Sequence, residues 1–137
     1  MAALATVAVS CSKSDVGANP ASTTSSTITQ GNWKVSYVTD NGADHTSDFI
    51  GFKLAYAVSG TVTASNDLLT INGTWNAHTD GSQDKLLQNF DIVTLASFAY
   101  LNEDWHILER TSTKLRMEHV SGGGGMTDYL TIEMIAR

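Results

Sequence analysis

Four histidines, His45, His78, His106 and His119, are the side chains in this sequence best suited to hold a metal or relay a proton. None stands two or four positions from another, and none shares such a spacing with the single cysteine, so no zinc-type ligand set is spelled out. Asp40, Asp44 and Asp48 recur every four residues beside Asn41, yet the EF-hand order of oxygen ligands and its glycine turn are missing. Glu103, Asp104 and Glu109 supply carboxylates, but nothing in the pattern sets a pair across a cleft as glycoside hydrolysis requires. There is no Gly-x-Ser-x-Gly elbow. The run from Ser121 to Gly125 leads into strand-type residues and carries no Lys-Ser/Thr pair, which reads as a hairpin end and not a phosphate cradle. The expectation is therefore a protein without catalytic residues, metal or cofactor, and not an enzyme.

The remaining chemistry is apolar. Trp33, Tyr37, Phe52, Tyr56, Trp75, Trp105, Met117 and His119 are the candidates to line a ligand pocket, His119 because it falls on an otherwise apolar strand face. The same side chains can instead fill the interior. A small barrel sits at the size where either outcome fits, and strands as short as these favour a mostly filled one with at most a shallow pocket.

These residues need elements to hold them. From Asn32 onward, short runs rich in Val, Ile, Thr, Tyr, Phe and Trp alternate with clusters of Gly, Asn, Asp and Ser, and no long helical stripe appears. The pattern predicts strands over 32–39, 51–58, 61–65, 68–77, 85–91, 104–110, 113–120 and 127–135. Tight turns are expected at Ser59-Gly60, Asn66-Asp67, Asp80-Gly81-Ser82, Thr111-Ser112 and Ser121 to Gly125. The two longer connections, 40–50 and 92–103, have room for a short helical turn each. Short links make consecutive strands antiparallel, and eight of them closing on themselves remove both sheet edges. The fold class is thus all-β: a small eight-stranded antiparallel up-and-down barrel. Period-two reading turns Trp33, Val35 and Tyr37 inward, with Phe52, Leu54, Tyr56 and Val58, with Leu115, Met117 and His119, and with Leu130, Ile132 and Met134.

A length of 137 residues suits one such domain, here 31–137. The formal charge of -6, without a Lys/Arg cluster, disfavours nucleic acid as a partner. One cysteine excludes an internal disulfide. That cysteine, Cys11, follows a small apolar opening too short to span a bilayer. Ala8-Val9-Ser10-Cys11 resembles a bacterial lipobox, although Ala8 stands where Leu is usual. The resemblance makes residues 1–10 a signal peptide truncated at its start, and Cys11 the lipid-modified N-terminus that anchors the chain. Residues 12–30, Ser/Thr-rich and poor in large apolar side chains, read as a flexible tether.

Gly31-Asn32-Trp33 resembles the Gly-x-Trp that opens the first strand of lipocalin-like proteins. The segments GNWKVSYVTDNGADHTSDFIGF, NGTW, LNEDWHILERTSTKLRMEHVSGG and TDYLTIE are more closely similar to small lipocalin-like lipoproteins of Gram-negative bacteria, over about residues 31–134. The resemblance implies a lipocalin-like barrel at the outer membrane, on its periplasmic or cell-surface face; the aromatic candidates above make binding of a small apolar or amphipathic molecule the first expectation of function. The alternative is a closed barrel scaffold whose loops 40–50 and 92–103 bind another protein or a surface polysaccharide.

Overall fold

The computed structural model describes residues 20–121 and 125–135. The signal segment, Cys11, the first part of the tether and Gly122 to Gly124 lie outside the described residues. The chain begins with helix α1 (Pro20–Ile28) and continues through strands β1 (Asn32–Asp40), β2 (Ala43–Asp44), β3 (Lys53–Tyr56), β4 (Thr61–Ser65), β5 (Thr70–Asp80), β6 (Gln83–Phe90), β7 (Asp104–Arg110), β8 (Lys114–Val120) and β9 (Thr127–Met134). Two 3-10 turns, Thr46–Phe49 and Ala96–Leu101, occupy the two long connections.

Each barrel strand pairs antiparallel with its neighbours in sequence, and β9 returns to β1, so the sheet closes as an eight-stranded up-and-down barrel. The short β2 is an extra strand folded back on β1. That hairpin turns at Asn41-Gly42, whose φ angles of 53° and 82° match the two left-handed positions of a type I′ turn. This Asn-Gly signal stands in the sequence inside a stretch expected to be a plain connection. Asn66 closes another hairpin by accepting from the backbone N–H of Leu68 and Leu69 at 2.8 and 2.7 Å.

The interior follows the alternation of each strand, and two bulges shift its phase. Val35 pairs with Ile132 and Tyr37 with Thr131, which leaves Ser36 as an extra residue in β1. Beyond it Val38 turns inward, fully buried, and Tyr37 turns outward, 43% exposed. The expectation that Tyr37 lines the barrel is thereby corrected. Val58 is also outside, 88% exposed, because β3 ends at Tyr56 and Val58 belongs to the turn that follows. A second bulge at Leu108 in β7 brings Arg110 opposite the inward-facing Leu115.

Residues 20–30, expected to be tether, instead form α1 and its exit turn. Pro20 at the first helical position costs no hydrogen bond. Ser26, Thr29 and Gln30 return their side chains to the carbonyls of Ser22, Ser25 and Ser26. Such a sequence has weak intrinsic helicity, so packing decides. Thr24 and Ile28, one helical turn apart, are both fully buried against the barrel end. A composition argument that counts large apolar residues misses a helix needing only one.

Gly73 shows how tightly the wall is built. It pairs with Val62 on one side and Phe90 on the other. A Cβ there would lie 2.6 Å from the Asn89 carbonyl oxygen and 2.8 Å from Phe90 Cα, both backbone atoms that cannot swing away. Gly73→Ala is expected to destabilise the barrel by about 1–3 kcal/mol in a urea titration; an unchanged midpoint would show that β5 and β6 can spread at no cost.

Candidate functional site

Six of the eight sequence-selected lining residues come together in the core. Trp33, Phe52, Tyr56, Trp75, Trp105 and Met117 are all buried. Their polar atoms are committed to the protein itself. Trp33 Nε1 donates to the Ile28 carbonyl at 2.9 Å, Trp75 Nε1 to the Ala57 carbonyl at 2.9 Å, and Trp105 Nε1 to the Leu101 carbonyl at 2.9 Å. Tyr56 Oη donates to Gln88 Oε1 at 2.8 Å, and Gln88 Nε2 donates onward to the same Leu101 carbonyl at 3.0 Å. This chain links β3, β6 and the second 3-10 turn through the interior. Gln88 escaped the sequence reading, although its place between inward-facing Leu86 and Phe90 marks it as a polar group on an apolar face.

Tyr56 reports this burial. Desolvation pushes its phenol far above the ordinary range, so it stays protonated in the folded state. The unfolded chain ionises it near its usual value, about 10, so the fold loses stability as pH rises past that point. In a near-ultraviolet absorbance titration, ionisation of Tyr56 should coincide with loss of the β-sheet circular dichroism signal. Tyr56→Phe should lack that step; a Tyr56 that ionises while the sheet persists would contradict its burial.

His119 stands at the mouth of the barrel, neither core nor surface. Its Nε2 lies 3.2 Å from Glu103 Oε1 and its ring packs edge-on to Trp105 at 6.3 Å. Desolvation pushes the Glu103 carboxyl up; His119 pulls it down, and Asp128 and Asp40 push it up again. Asp128, buried, accepts the Asn41 backbone N–H at 2.9 Å and so ties β9 to the β1–β2 hairpin.

The two loops singled out in the sequence emerge at this same mouth, opposite the end covered by α1. Phe98 from the second 3-10 turn receives Phe49, Phe52 and Phe90 at centroid distances of 5.1, 5.1 and 5.3 Å. His45 stacks on Tyr100 at 3.8 Å, joining loop 40–50 to loop 92–103 from above. Under this lid the rings are buried; around it aliphatic side chains face water. Ile50, Leu68, Ile92 and Val93 are 77, 89, 45 and 89% exposed. Several exposed aliphatics at one end of a molecule are what interaction surfaces display.

A concavity runs over the outer wall. Gln83, Lys85, Asp104, His106, Glu118, His119 and Val120 line a polar cleft of about 160 Å³. Register places His78, Lys85, His106 and Glu118 side by side across β5 to β8. His78 Nε2 lies 2.7 Å from Asp104 Oδ1, and His106 Nδ1 lies 3.3 Å from Glu118 Oε2. Lys85 Nζ sits 3.8 Å from both Asp80 and Asp104. Each imidazole thus faces a carboxylate of the same wall, and no hydroxyl or thiol nucleophile lines the cleft. Among the described residues no group of three or more His, Cys, Asp or Glu converges to hold a metal ion.

No protein-family model matches the chain, and no curated protein matches it. Among solved structures it is similar to a DUF4847 family protein from Bacteroides vulgatus ATCC 8482. The TM-score is 0.52 at 18% identity, over 80% of this chain and 96% of that one. At that identity the likeness concerns the fold alone, a closed β-barrel scaffold.

Proposed function

We propose that this protein is a lipid-anchored, lipocalin-like barrel of the outer membrane that uses its loop end, 40–50 with 92–103, to bind another protein. The observation that carries this reading is the hydrogen-bonded chain Tyr56, Gln88, Leu101 and Trp105 through the interior. A ligand entering there would have to separate groups already satisfied by one another, leaving buried donors and acceptors unpaired at about 1–3 kcal/mol each. Six of the eight side chains expected to line a pocket are buried in this core. The loop mouth, in contrast, combines a rigid aromatic base with aliphatics exposed around it. Aliphatic rims suit a protein surface better than a polysaccharide, whose hydroxyls need fixed polar partners.

Anchoring at Cys11 agrees with the topology, since the chain enters the barrel through α1 and so leaves the loop mouth at the far end. Photo-crosslinking residues at Val93 and, as a control at the helix end, Val58 test the reading in native envelopes. A discrete protein adduct from Val93 alone is expected. Equal adducts from both positions, or a small molecule retained by the purified barrel in native mass spectrometry, would overturn it. Radioactive fatty acid should label the chain and fail to label Cys11→Ala; label on the variant would remove the anchor from the proposal.

A further inference from the structure

Resting on the loop-end reading, we infer that the partner surface is basic as well as apolar. The aliphatic rim of Ile50, Leu68, Ile92 and Val93 lies in connections that contain no Lys or Arg: residues 41–52, 66–69 and 91–103. The same connections carry Asp44, Asp48, Asp67 and Asp91, all exposed. Among the described residues none of these four pairs with a Lys or Arg; Asp48 faces only His45, at 3.6 Å. Asp44 and Asp91 also accept backbone N–H groups, from Thr46 at 2.8 Å and Val93 at 3.0 Å, which orients their carboxyl groups.

The opposite end is built differently. Most of its cations stand against carboxylates: Arg110 with Asp84, Lys85 with Asp80 at 3.8 Å, and Arg116 and Lys114 with Glu109 at 3.2 and 3.9 Å, while Lys34 is exposed outside these pairs. The helix end therefore sets most of its cations against carboxylates, whereas the loop end presents four exposed aspartates around its aliphatics, with Lys53 at the start of β3 as the nearest cation in sequence. Like charge around a docking patch repels acidic partners and draws in a surface that sets Lys or Arg around its own apolar residues. A second copy of this chain could offer its Lys114 and Arg116 end, but those cations are already engaged with Glu109.

Two short amphipathic peptides of equal apolar content, one lysine/leucine and one glutamate/leucine, test the inference against the full 137-residue chain. Amide chemical shifts are the readout. The lysine/leucine peptide should shift amides in 41–52, 66–69 and 91–95, with affinity falling about tenfold as salt rises from about 0.05 to about 0.5 M. The variant with Asp44, Asp48, Asp67 and Asp91 all changed to Asn should lose that affinity and its salt dependence, and Ile50→Ser with Val93→Ser should weaken binding with the salt dependence kept. Equal binding of both peptides at these loops would overturn the basic partner and leave loop docking standing. Shifts confined to the outer wall or the interior would overturn both. Sedimentation showing association of the chain that Lys114→Glu abolishes would overturn the inference by giving the rim to a second copy.

Discussion

Trp33→Ala is expected to cost about 3–5 kcal/mol, the range for truncating a fully buried tryptophan. Trp33 is 0% exposed and is the point where three parts of the fold meet. Its strand β1 pairs with β3 through Leu54 and with β9 through Met134, and its indole N–H holds the Ile28 carbonyl at the end of α1. Truncation removes a large apolar volume and leaves a helix-terminal carbonyl without its donor. Chemical denaturation followed by circular dichroism measures the loss. Trp33→Phe keeps most of the volume and removes the donor, and should lose about 1–3 kcal/mol. A loss under about 1 kcal/mol for the alanine variant would mean that α1 and the strand closure do not depend on this side chain.

Asp84→Ala should cost about 3 kcal/mol, because it strands a guanidinium at the helix-covered end of the barrel. Asp84 and Arg110 are an ion pair whose side chains are only 15 and 23% exposed. Arg110 also donates to Thr24 Oγ1 at 2.9 Å, and Thr24, fully buried, lies within 3.3 and 3.4 Å of the two Asp84 carboxylate oxygens. Three elements, α1, β6 and β7, are joined by this triad. Removing one charge leaves the other desolvated without its counter-charge, whereas replacing both with apolar groups removes the penalty along with the attraction. Asp84→Leu with Arg110→Met is therefore expected to recover at least half of the loss seen with Asp84→Ala. Urea midpoints for Asp84→Leu, Arg110→Met and the double variant measure the coupling; simple additivity would show that the pair is screened by solvent and structurally idle.

The sites differ in how much the sequence disclosed. The rings of Phe52 and Tyr56 fall on an apolar face in plain alternation, so their burial was readable in advance. That burial did not reveal whether they line or fill the interior, because the answer depends on Gln88 meeting Tyr56 and Leu101 from distant parts of the chain. Loops 40–50 and 92–103 were visible as long connections between strands of a meander. The stacking of His45 on Tyr100, which fastens one to the other, was not. The histidines offered no metal spacing, and their carboxylate partners Asp104, Glu118 and Glu103 became identifiable only once strands stood side by side.

What the sequence determined by itself was the number of barrel strands, their places, and the closed antiparallel meander, because alternation and turn chemistry act between residues a few positions apart. What the tertiary structure decided were the quantities that alternation cannot carry. The extra residues at Ser36 and Leu108 reverse the facing of all that follows in their strands, sending Tyr37 out and Val38 and Arg110 in. Helix α1 exists where a polar, weakly helical stretch finds an open barrel end for Thr24 and Ile28. A bulge or a marginal helix is chosen by the neighbour it must fit, and that neighbour lies far away along the chain.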